Sequence, residues 1–98
     1  MKPYRLTPAA EDDLFEMWSH IAPENPAAAD ALESEILESC QRLAQRPDLG
    51  HWRRELTDKP VRFFTVHQNY AVIYEPAAQP LQILRILHWA RDVAAELE

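Results

Sequence analysis

Residues Leu81–Asp92, LQILRILHWARD, constrain the fold of this chain more than any other stretch. An apolar run bounded by Pro80 and broken by Gln82 and Arg85 turns polar at His88, and Arg91 and Asp92 follow. Length, Ile/Leu content and the flanking proline read as a β-strand over Leu81–His88, buried on most of both faces, with polar groups at its C-terminal end. A guanidinium inside such a run needs a counter-ion, an anionic ligand or water, because an unpaired buried charge is costly. Arg85 is expected to pair with an acid such as Glu75 or Asp92, or with a carboxylate of a partner. The same expectation applies to Arg62.

The remaining elements are read around this strand. Residues Lys2–Leu6 form a short extended piece. Thr7-Pro8 opens a helix, since threonine caps and proline suits the first helical position. Glu11, Asp12 and Asp13 follow in the first turn, where the helix dipole favours acids. Ala10, Leu14, Met17, Trp18 and Ile21 form its apolar stripe. Asn25-Pro26 opens a second helix, closed by Pro47, with Ala29, Leu32, Ile36, Cys40 and Leu43 on one face. The short link Ala22–Glu24 implies an antiparallel helical hairpin. Arg46–Pro60 is irregular and carries the single glycine, Gly50, together with Trp52, Arg53 and Arg54. An aromatic beside two arginines could stack on a base and grip phosphate, or could pin a loop to the core. Val61–Val66 and Tyr70–Tyr74 are strands around the turn His67–Asn69, and Leu81–His88 completes a three-stranded antiparallel meander. The tail from about Ala90 has moderate helix propensity. The fold class is α+β: a two-helix hairpin on a small antiparallel sheet, with Tyr4–Leu6 expected as an edge strand and a short C-terminal helix, in one domain spanning residues 1–98.

Composition narrows function by exclusion. With one cysteine and one glycine among 98 residues, a disulfide framework, paired-Cys zinc sites and Gly-rich phosphate loops have no material to form from. Cys40 lies on an apolar stripe and is expected in the core. Ser19, Ser34 and Ser39 all fall on helices, outside any nucleophile elbow. No apolar run reaches membrane-spanning length, and the N-terminus lacks an apolar signal-peptide core, so a cytoplasmic protein without cofactor or metal is expected. Net charge is −6, but residues 41–91 hold eight basic against four acidic side chains. A basic patch on an acidic body is therefore available.

The remaining chemistry is a basic and imidazole set: Arg62, His67, Arg85, His88 and Arg91. Arginine binds phosphate and stabilises transition-state charge, and histidine exchanges protons near neutral pH. Arg62, Arg85 and His88 are the weak catalytic candidates for cleaving RNA by in-line attack of a 2′-hydroxyl. Structural pairing of the same side chains is the alternative.

The order of PAAEDDL, NPAAA, RFFTV–NYAVIYE and ILRILHWARD resembles the RelE/ParE toxin superfamily of bacterial toxin–antitoxin modules. The His, two residues and Arg-Asp of HWARD resemble the ParE branch. That resemblance implies the fold already read from the residues and a cognate antitoxin as partner, with operator DNA bound only through the antitoxin. A ParE-like toxin would inhibit DNA gyrase without turnover chemistry. The alternative, a RelE-like ribosome-dependent mRNA endonuclease, would use Arg62, Arg85 and His88. Lysine is confined to Lys2 and Lys59, no tyrosine follows Tyr74, and the net charge is acidic, all departures from the nuclease pattern. Interface cores favour aromatics and arginine, so the candidate partner-binding residues are Phe15, Trp18, Phe63, Tyr70, Arg62, Arg85 and Arg91.

Overall fold

The computed structural model describes residues 3–98, so Lys2 of the expected N-terminal extension lies outside the described part. Seven elements follow in order: β1 (Tyr4–Leu6), α1 (Pro8–Ile21), α2 (Pro26–Gln45), β2 (Arg62–Val66), β3 (Tyr70–Glu75), β4 (Leu81–His88) and α3 (Val93–Glu96). Both helices begin as their caps dictate. Thr7 Oγ1 accepts from the Ala10 N–H at 3.1 Å, and Asn25 Oδ1 accepts from the Ala28 N–H at 3.0 Å, each satisfying a donor that the first helical turn leaves over.

The strands lie in the order β1-β4-β3-β2. β2–β3 and β3–β4 are antiparallel, as the meander requires. The N-terminal edge strand is present but runs parallel to β4, pairing Tyr4 with Leu81 and Leu6 with Ile83, so the sheet is mixed rather than wholly antiparallel. The reason is topological: β2 and β4 flank β3 and run the same way, and β1 shares that direction because its connection to β2 is the helical crossover that parallel strands require.

β1 ends opposite Ile83, and the second half of β4 has no strand on that side. The start of α1 takes the place of one. The Thr7 N–H donates to the Ile83 carbonyl at 3.0 Å, the Thr7 hydroxyl donates to the Leu84 carbonyl at 2.8 Å, and the Ile86 N–H donates to Asp13 Oδ2 at 3.0 Å. Side chains of helix and turn thus satisfy backbone groups of an otherwise open edge.

Two apolar clusters fill the two faces. The helical hairpin covers one, where Leu14, Met17, Ile36, Cys40 and Leu43 meet Val72, Tyr74, Ile83 and Ile86. The short α3 covers the other, where Val93 and Leu97 meet Phe63, Ile73 and Leu87. The expectation that β4 is buried on most of both faces is met. At the far edge, His51 bridges to Phe63 through 2.9 Å and 2.8 Å backbone bonds, which attaches the long loop to β2. The Tyr74 hydroxyl locks that loop, donating to the Pro47 carbonyl at 2.6 Å and accepting from the Gly50 N–H at 2.8 Å. A Cβ at residue 50 would stand 2.6 Å from the Tyr74 hydroxyl oxygen. This close approach accounts for the chain's only glycine.

Candidate functional site

The site forms where α1, the end of β4 and α3 converge, because two charges from apolar segments neutralise one another there. Asp13 follows Ala10 by three residues and precedes Met17 by four, which places it on the apolar stripe of α1. Its side chain is only 4% exposed. Arg85 meets it with Nε to Oδ2 at 2.7 Å and Nη2 to Oδ1 at 2.9 Å, a bidentate pair of the strong, directional kind. Arg85 Nη1 also reaches the Glu96 carboxylate and carbonyl, each at 3.2 Å, and Arg91 Nη2 bonds the other Glu96 oxygen at 2.7 Å. The hydrogen bonds that Arg85 donates to Asp13 hold it charged more firmly than an ordinary arginine, against the opposing effect of burial, and those to Glu96 add to this.

Asp13, Arg85, Glu96 and Arg91 therefore form an alternating chain of charges whose formal sum is zero. The expected acids for Arg85, Glu75 and Asp92, are not its partners. Asp92 caps α3 instead, accepting from the Ala95 N–H at 3.2 Å. Arg62 pairs with no acid among the described residues. Its Nη1 donates to the Gly50 carbonyl at 2.7 Å and, more weakly, to the Asp48 carbonyl at 3.4 Å.

Beside the charge chain, an open groove of about 510 Å³ is lined by Asp13, Glu16, His20, Tyr70, His88 and Arg91, among others. His88 is oriented within it: Nδ1 accepts from the Ala90 N–H at 2.9 Å, and the Tyr70 ring meets the imidazole edge-on at 5.0 Å. In the neutral ring this bond fixes the proton on Nε2. Tyr70 and His88 also line an adjoining apolar groove of about 360 Å³ between α2 and the β2–β3 turn. In that turn His67 adopts positive φ and sits exposed, 3.2 Å from Glu35.

The candidates therefore divide. Arg85, His88, Arg91 and Tyr70 come together at the end of β4. Arg62 does not join them, because it starts the outermost strand. Phe15 is 68% exposed. It lines a separate groove of about 430 Å³ with Leu14, Trp18 and Asp30 on the outer side of the hairpin. There Trp18 Nε1 donates to Asp30 Oδ1 at 2.8 Å. Phe63 is 2% exposed and stacks on Trp89 at 6.0 Å, so it is a core residue and presents no binding surface. Asp13, Glu96, Glu16 and His20 are site residues that the sequence reading missed. Only Asp13 had a signal, an acid centred on an apolar helical stripe.

Chemically the site offers a shaped, hydrogen-bonded groove whose arginines are largely committed to carboxylates. Cys40 takes no part: burial pushes its thiol up to about 12, far from the thiolate that nucleophilic chemistry needs. Among the described residues no cluster of His, Cys, Asp or Glu could hold a metal ion, and no helix is long and apolar enough to cross a membrane.

Comparison with known proteins matches residues 4–93 to the family described as ParE toxin of type II toxin-antitoxin system, parDE. Among solved structures, a chain from the chromosomal ParDE TA system of P. aeruginosa is similar, with a TM-score of 0.71 and 25% sequence identity. The likeness covers 87% of this chain and 92% of that one. No curated protein matches. The family match runs from the first residue of β1 to the first of α3, through every element that builds the groove, and the chain belongs to the ParE toxin family of type II toxin–antitoxin systems.

Proposed function

We propose that this toxin acts by binding DNA gyrase and inhibiting it, and that a cognate antitoxin neutralises it by occupying its grooves. The observation that carries the reading is the charge chain at the end of β4. Arg85 and Arg91, which a phosphate-cleaving site would need as free cations, are each bonded to carboxylates of the same chain, and Arg62 stands apart on another strand. What the convergence offers is a fixed surface of groove, imidazole and aromatic edge, suited to a protein partner. The exposed Phe15 over its own groove supports a second contact, with the antitoxin, because a large exposed apolar side chain bordering a concavity is a typical anchor position.

The test is supercoiling by purified gyrase. The toxin should inhibit it at doses comparable to those that arrest growth, and equimolar antitoxin should restore it. Full gyrase activity at such doses, with a parallel translation assay showing cleaved message, would overturn the proposal in favour of the endonuclease alternative.

A further inference from the structure

The long loop between α2 and β2 carries a feature that the groove does not use. Trp52 is 40% exposed, and two guanidiniums lie over its ring, Arg62 at 4.5 Å and Arg54 at 5.0 Å from the centroid. Beside it Arg53 lies 5.3 Å over the ring of Trp89, which is itself fixed by a 3.1 Å bond to Thr65 Oγ1. Arg42 repeats the arrangement, 5.7 Å over Phe64. Cation–π stacking occupies the flat face of a guanidinium and leaves its N–H edges available, with less side-chain entropy left to lose on binding.

The neutralisation of these arginines is incomplete. Arg53 bonds Glu55 at 2.8 Å, but among the described residues Arg54, Arg62 and Arg42 form no ion pair. Arg62 is anchored through a single nitrogen on backbone carbonyls. On a chain of net charge −6, ring-stacked arginines without ion pairs are anomalous as solvated surface and suit a polyanion.

We infer that the Arg54–Trp52–Arg62 stack is a docking surface for the phosphodiester backbone of duplex DNA. The two guanidiniums occupy the π surface of Trp52, so the platform reads phosphate rather than stacking on an unpaired base. The choice of duplex DNA over an acidic peptide rests on the gyrase reading, since that target holds duplex DNA. Position is consistent with it. The platform lies beyond β2, at one edge of the sheet, whereas the groove is built on α1, the start of β3 and the end of β4. Protein in the groove and DNA on the platform use different residues.

Anisotropy of a short labelled duplex of arbitrary sequence, titrated with the purified toxin at low salt, tests this. Weak binding should appear with a salt slope of about −2, for the two phosphate contacts of Arg54 and Arg62. Arg54→Gln should weaken it several-fold and reduce the slope by about 1. Trp52→Ala should weaken it as well by releasing both guanidiniums, with circular dichroism confirming the fold. Glu24→Gln, exposed in the turn between α1 and α2, should leave the slope unchanged. No duplex binding, or binding insensitive to Arg54→Gln, would overturn the inference. So would Arg54-dependent capture of polyglutamate with none of the duplex. Gyrase inhibition is measured separately on the same proteins. Inhibition without duplex binding sinks this inference alone, and duplex binding without inhibition sinks the gyrase reading alone.

Discussion

Asp13 performs two tasks with one carboxylate. It neutralises Arg85 and it accepts from the Ile86 N–H at the edge that β1 leaves open. Removing it leaves a guanidinium whose side chain is only 20% exposed with Glu96 as its remaining acid and uncaps a buried backbone donor. Breaking a buried pair from one side costs about 3–5 kcal/mol, and Glu96 offsets part of that, so Asp13→Ala should lower the unfolding free energy by about 3 kcal/mol, read as a lower urea midpoint with the denaturant slope unchanged. Asp13→Asn should cost less, because an amide oxygen can still accept from Ile86. Arg85→Met added to Asp13→Ala should recover part of the loss, giving a favourable coupling in the double-mutant cycle. If Asp13→Ala alone cost under about 1 kcal/mol, the pair would not hold α1 to β4.

At the scale of elements, the short α3 shows how dependent a piece of secondary structure can be. Four residues cannot sustain a helix alone. Val93–Glu96 is helical because Asp92 caps it, Arg85 and Arg91 hold Glu96, and Val93 and Leu97 seal the second apolar face. Leu97→Ala should cost about 2 kcal/mol, toward the low end for buried leucine because a chain end can partly collapse into the space. Equilibrium unfolding measures it, and increased dye binding to the uncovered Phe63–Leu87 face should accompany it. The longer elements were legible because each carries its own signal: Thr7-Pro8 and Asn25-Pro26 start helices, and RFFTV and YAVIY are runs of β-forming residues on either side of a turn. The pairing sense of β1 was not legible, since three residues carry no mark of parallel or antiparallel neighbours. The partner of Arg85 lies 72 positions away along the chain. The need for a counter-ion was readable from the apolar run, but its identity depended on a helix crossing that only the assembled fold defines. Asp13 was read as a dipole acid although its spacing put it on the buried stripe, and that spacing was the usable clue. Phe63 was indistinguishable by sequence from an exposed strand aromatic, because α3 and Trp89, which cover it, come from the tail.

Across the whole molecule, acidic helices and a more basic sheet half are joined by a core that contains its own titrating groups. Cys40, Tyr4 and Tyr74 are buried in the helix-facing cluster, and Tyr70 packs against it. Burial pushes all four upward, Cys40 to about 12 from 9.0 and the tyrosines above 10.0. For Tyr4 the neighbouring Cys40 adds to the shift, and for Tyr74 the Gly50 bond opposes it. The sign follows from proton linkage. Above the unfolded values the unfolded chain releases protons that the folded chain retains, so raising the pH favours unfolding. As far as these four groups decide it, stability should be level up to about pH 9 and should fall between there and about pH 12, the window set by Cys40. For Cys40 alone the loss is on the order of 1 kcal/mol one unit above its unfolded value, and the tyrosines add to it from higher pH. Tyr74 compounds the effect, because its ionised oxygen could no longer donate to Pro47 and the loop locked to β2 would loosen. Urea midpoints taken at about pH 8 and about pH 10.5 should differ accordingly, and Cys40→Ala, though less stable at both, should show the smaller difference. Equal midpoints for the parent protein at the two pH values would mean that these groups already reach water in the folded state, contradicting the sealed core on which the α1–β4 groove is built.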